Sequence, residues 1–132
     1  METKYFPLYT DPVHSSHLTH SDFRINLTGA WLCDDGGAYF IRHHSFEPYV
    51  SKIDWLGLSE RGLGNHFTNV FFGTMLSLYS PYKTSISGDW ADVPRGRTTS
   101  SGILELQIED YGRKLRAIRK SGGFGGSVWT RL

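Results

Sequence analysis

From Leu27 to Leu132 the chain is cut into eight short apolar-rich segments by glycine, proline, asparagine and aspartate, and this punctuation limits its folding options more than any other feature. The segments are Leu27–Cys33, Ala38–His43, Val50–Leu58, Phe67–Leu76, Thr84–Ala91, Gly102–Glu109, Lys114–Lys120 and Ser127–Leu132. They have the lengths of β-strands, and no 3.6-residue apolar period runs through them. Two of the connections read directly as turns. Asp34-Asp35-Gly36-Gly37 and Asp110-Tyr111-Gly112 supply residues that tolerate positive φ where a hairpin needs them. The sixth segment alternates most cleanly, with Leu104, Leu106 and Ile108 on one face and Ile103, Glu105, Gln107 and Glu109 on the other.

Each connection is too short for a helical crossover, so consecutive segments are expected to pair antiparallel as a meander. Eight such strands close into a ring once the first meets the last, which removes both free edges. The predicted fold class is therefore all-β, an eight-stranded antiparallel up-and-down β-barrel over residues 27–132; a two-sheet sandwich is the other arrangement this pattern allows. Residues 1–26 are polar, contain Pro7, Pro12, His14, His17 and His20, follow neither strand nor helix period, and are expected to form an irregular N-terminal extension.

Composition excludes several function classes. Apolar residues are 39% and charged residues 20%, which fits a globular domain and not a disordered tail. No apolar run approaches the roughly 18 residues of a membrane span. The formal net charge of +1 creates no field that would draw nucleic acid or an anionic membrane, so neither is expected as a partner. Cys33 is the sole cysteine, which rules out an intrachain disulfide. The stretch METKYFPLYTDPVHSSH lacks a basic start followed by an apolar core, so a cytoplasmic location is expected.

Within the first segment, Leu27-Thr28-Gly29-Ala30-Trp31 carries a Gly-x-Trp pattern, and Arg131 lies in the closing Val128-Trp129-Thr130-Arg131-Leu132. These residues resemble the calycin superfamily of lipocalins, fatty-acid-binding proteins and avidins. There Gly-x-Trp marks the first barrel strand, and in lipocalins a basic residue near the barrel's end packs across the tryptophan. LTGAW followed by an acidic, glycine-containing turn is especially similar to the opening of avidin-like proteins. The resemblance implies a calycin-like barrel in which Gly29, Trp31 and Arg131 are structural, with Arg131 stacked on Trp31. A guanidinium on an indole is worth roughly 0.5–2 kcal/mol. It also implies a homo-oligomer, as in avidin-like barrels. No residues here align with the polar biotin-binding set of avidins. The segments Gly88–Arg97 and Ser121–Arg131 also resemble those of an uncharacterised group of bacterial barrel proteins.

The candidate ligand-binding residues are Arg42, Trp55, Asn69, Phe71, Trp90, Asp92 and Arg97. Aromatic side chains on the middle strands either clasp a flat or apolar ligand or fill the barrel, since eight strands enclose an interior just wide enough to be packed. Asp89–Arg97 places two carboxylates, two guanidiniums and an indole within nine residues, either a recognition rim or a solvated loop with internal ion pairs. Arg42 shares a face with Ala38 and Phe40; if that face is internal it needs a carboxylate such as Asp89 or Asp92. His14, His17 and His20 have helical-turn spacing but no completing ligand, so no metal is expected. Gly122–Gly126 leads into a strand, not a helix, and reads as a tight turn and not a phosphate loop. The leading functional expectation is a non-catalytic small-molecule-binding barrel without cofactor. A packed, self-associating structural or interaction protein is the alternative, and an enzyme, with no motif for a reaction, comes last.

Overall fold

A computed structural model describes residues 25–59, 66–77, 84–94 and 99–132. The expected extension up to residue 24, with His14, His17 and His20, lies outside the described residues, as do Arg95 and Arg97.

The chain forms eight strands: β1 (Gly29–Cys33), β2 (Gly37–Glu47), β3 (Val50–Ser59), β4 (Thr68–Leu76), β5 (Ser85–Asp92), β6 (Ser101–Glu109), β7 (Lys114–Lys120) and β8 (Val128–Arg131). Each pairs antiparallel with the next, and β1 pairs with β8, so the sheet is a closed up-and-down barrel. The sandwich arrangement is excluded. Both turns singled out in the sequence behave as their residues require: Gly36 has φ 86°, and Asp110, Tyr111 and Gly112 take φ 50°, 54° and 88° between β6 and β7.

Period-2 alternation fills the interior. Trp31, Tyr39, Ile41, Ile53, Trp55, Phe71, Ile86, Trp90, Leu104, Leu106, Leu115 and Trp129 are buried in one cluster, joined by Leu27 ahead of β1 and by Phe124 from the β7–β8 connection. The last hairpin is basic, yet two of its arginines face carboxylates on β6: Arg116 Nε lies 3.0 Å from Glu109 and Arg119 Nε 3.4 Å from Glu105.

The two ends of the barrel differ. At one, Arg131 pairs in register with Trp31 across the β1–β8 seam, its guanidinium carbon 5.4 Å from the indole centroid. Its nitrogens donate to the carbonyls of Asn26 at 2.8 Å and Thr28 at 2.7 Å. Trp31 Nε1 donates to the Leu27 carbonyl at 3.0 Å. The other end gathers the β1–β2 turn, the start of β4, the end of β5, the start of β6 and the β7–β8 connection.

Candidate functional site

At this second end the barrel holds a cavity of about 270 Å³, open to solvent, lined by Asp35, Phe67, Asn69, Trp90, Asp92, Ser100 and the Gly123-Phe124-Gly125 stretch. The volume suits one ring with a short substituent, near the lower limit for ligand sites. Below it aromatic rings pack against one another. Trp55 and Phe71 stack at 4.5 Å, and Trp129 lies 5.3 Å from Trp55 and 5.8 Å from Tyr39.

A chain of hydrogen bonds links that floor to the rim. Trp55 Nε1 donates to Asn69 Oδ1 at 2.8 Å, Asn69 Nδ2 donates to Tyr39 Oη at 3.3 Å, and the Tyr39 hydroxyl donates to Asp35 Oδ2 at 2.5 Å. The fold makes this possible through an absence. In the inward-facing row Tyr39–Gly57–Asn69, a Cβ at Gly57 would strike the Tyr39 ring, so the missing side chain lets tyrosine and asparagine meet across an intervening strand. Asp35 is fixed a second time by the Gly37 amide, which donates to Oδ1 at 2.8 Å. Burial, then the Asp35 charge, pushes the Tyr39 hydroxyl above its ordinary pKa and keeps it a donor. On the opposite wall Asp92 Oδ2 accepts from the Ser100 amide at 2.8 Å. One N–H of the buried Asn69 amide has no acceptor among the described residues, and each carboxylate keeps spare lone pairs.

Of the candidates drawn from the sequence, Asn69, Trp90 and Asp92 come together on the cavity wall. Trp55 and Phe71 are buried one layer deeper, in the floor. Arg42 goes elsewhere: the face it shares with Phe40 is the outer one, its side chain is 72% exposed, and its carboxylate neighbour is Asp54 at 4.0 Å, not Asp89 or Asp92. Phe67, one of the middle-strand aromatics expected to face the interior, also lines the cavity, whereas the sequence did not mark Asp35, Tyr39, Ser100 or Phe124 as site residues. Only Asp35 and Tyr39 left a usable signal, a turn carboxylate four residues before an aromatic on the interior face.

At the sealed end, His43 and Ser51 place imidazole Nε2 2.7 Å from a serine hydroxyl, a distance that invites a nucleophile reading. The tautomer argues against it. The Leu27 amide donates to His43 Nδ1 at 3.1 Å, so in neutral imidazole the proton is on Nε2, which donates to Ser51 and cannot accept its proton. Burial, then electrostatic repulsion from the neighbouring His44 and Arg131 side chains, pushes His43 down to about 3, which keeps the ring neutral. Burial likewise pushes the Cys33 thiol up, away from the thiolate needed for nucleophilic or metal chemistry. Among the described residues no three His, Cys, Asp or Glu side chains converge as metal ligands, and no helix is long and apolar enough to cross a membrane.

No protein-family model, no curated protein and no solved structure matches this chain.

Proposed function

We propose that this is a cytoplasmic, calycin-like barrel that binds a small molecule without transforming it, in the cup bounded by Asn69, Trp90, Asp92 and Asp35. The calycin reading is supported by Arg131 lying against Trp31 beside Gly29. The observation that carries the binding reading is the cavity of about 270 Å³ whose wall combines an apolar surface with hydrogen-bonding groups already locked in place. Groups fixed before the ligand arrives spare binding the entropy of ordering them. Native mass spectrometry of the purified protein, followed by a thermal-shift screen across metabolites, tests the reading. A retained or stabilising molecule is expected, with binding lost in Trp90→Ala and in Asn69→Leu. A screen without any stabilising molecule, or hits indifferent to both substitutions, overturns it.

A second reading, self-association, is favoured by the outer surface. The register sets Phe40, Leu56 and Val70 side by side across β2, β3 and β4, with Phe72 and Leu58 adjoining. Phe40 is 50% and Phe72 61% exposed. Contiguous apolar surface of this kind marks interaction faces. Light scattering would show a dimer or larger assembly that Leu56→Lys converts to monomer; a monomer at all concentrations removes this reading.

A further inference from the structure

The β7–β8 connection inserts an aromatic ring where a ligand's ring would fit. Its two feet are fastened. Trp90 Nε1 donates to the Ser121 carbonyl at 2.9 Å, and the Ser127 amide donates to Asp34 Oδ1 at 2.8 Å, while Lys120 Nζ donates to the Gly126 carbonyl at 2.9 Å. Gly122, at φ 78°, lies so close to the Ser101 carbonyl that no side chain fits, and a Cβ on Gly126 would meet Cys33 Sγ at 2.5 Å. Between these clamped points the situation reverses. A Cβ on Gly123 or Gly125 would meet nothing within 4 Å, and beyond the tight turn at Gly122–Gly123 no hydrogen bond ties Phe124 or Gly125 to another strand of the described barrel.

Phe124 at the top of this arch is nevertheless buried, at 6% exposure. Its ring lies edge-on to Trp90 at 4.9 Å, 5.9 Å from Trp129 and 6.3 Å from Trp55. Burial and these ring contacts hold it, and such contacts are worth about 0.5–1.5 kcal/mol each beyond the apolar area they bury. A ligand ring can supply the same contacts. The surroundings also contain polar groups that a phenyl ring cannot serve. Trp129 Nε1, fully buried, has no acceptor among the described residues, and Asp35 and Asp92 both line the cavity with no described cation on its wall.

Building on the cup as the binding site, we propose that Phe124 is an internal occupant of an aromatic cage and that the ligand is an aromatic ammonium compound. Its ring takes the place of Phe124 among Trp55, Trp90 and Trp129, and its cation meets Asp35 and Asp92. An oxygen on the ring would give the Trp129 N–H its acceptor. The arch supplies the movement, since its two unclamped glycines flank the phenylalanine and its feet stay fixed.

Tyramine, with ring, ring oxygen and ammonium, is the probe, and 4-hydroxyphenylacetate is its charge-reversed control; calorimetry and tryptophan emission give the affinities. Phe124→Ala is expected to bind tyramine at least about tenfold tighter than the native protein, because no occupant has to be displaced. The control is expected to bind at least about tenfold more weakly than tyramine. Asp92→Asn, which leaves the Asp35–Tyr39 hydrogen bond in place, narrows that difference. Phe124→Leu, a smaller loss of apolar volume, gives the same direction if the alanine variant does not fold. Equal tyramine affinity in native and Phe124 variants, no tyramine binding to any of them, or preference for the carboxylate overturns the proposal. A molecule from the metabolite screen that needs Asn69 but is indifferent to Phe124 overturns this proposal while leaving the cup itself standing.

Discussion

At the end of the barrel where β1 starts, three polar side chains have partners: Arg131 on backbone carbonyls, Trp31 on Leu27, and His43 between the Leu27 amide and Ser51. At the opposite end the fully buried Trp129 N–H has none among the described residues, Asp35 and Asp92 line the cavity, and the Phe124 ring packs edge-on to Trp90. Both ends are rich in aromatics, so hydrophobicity does not separate them. Polar satisfaction does. A site saturated internally has nothing to offer a ligand, whereas unsatisfied groups held rigidly in a cavity carry a cost that a ligand can relieve.

The sharpest way to break this contrast is at the seam. Trp31→Ala removes a fully buried indole, its hydrogen bond and its guanidinium contact, and is expected to cost about 4–5 kcal/mol in denaturant unfolding. A much smaller loss would mean the seam does not hold the barrel shut.

His43 gives the next largest effect, read through pH. Its folded pKa of about 3 lies below the unfolded value of 6.5, so below pH 6.5 the unfolded chain binds the extra proton. Stability from this group is complete above pH 6.5, falls as the pH drops towards 3, and falls no further below that. The loss is expected to reach roughly 3–4 kcal/mol, less than the full linkage value because local rearrangement relieves part of it. In His43→Gln, whose amide can accept from Leu27 and donate to Ser51, a plot of stability against pH should be flatter across that window. An unchanged slope would place the acid sensitivity elsewhere.

Phe124→Ala tests the other pole. The vacated space opens to solvent and water enters it, so the cost is expected to be only about 1–2 kcal/mol, well below that of a sealed-core phenylalanine. A loss equal to that of Trp31→Ala would erase the distinction between the ends. Smallest of all, Arg42→Ala is expected to change the unfolding free energy by less than about 0.5 kcal/mol in denaturant titration and to leave ligand binding unaltered, as befits an exposed arginine 4.0 Å from Asp54.

The strands were legible because their separators are chemical: Gly36 and Gly112 take the backbone angles that other residues avoid, and the Leu104–Leu106–Ile108 alternation survives intact on β6. What the sequence hid was parity. On β2 both faces carry aromatics, Tyr39 inward and Phe40 outward, so alternation alone could not say which way Arg42 points. Phe124 was hidden for a different reason. Its glycine neighbours announce a turn, but nothing in a turn's composition reveals that one ring bends back into the barrel. The Tyr39–Asn69 contact depends on register across Gly57, and the His43–Ser51 pair on a hairpin whose bulge only the structure discloses. Such pairings become visible only once strands are aligned.

Closure by β1 against β8 has a consequence in time. Seven of the eight strand pairings join neighbours along the chain and can form as local hairpins; the eighth, Trp31 to Arg131 through Cys33 to Trp129, joins segments about a hundred residues apart. During synthesis β1 therefore waits with one edge bare until β8 has emerged, and the barrel spends that interval as an open sheet prone to pairing with another copy. The seam that seals the finished protein is also the step at which its folding is most exposed to error.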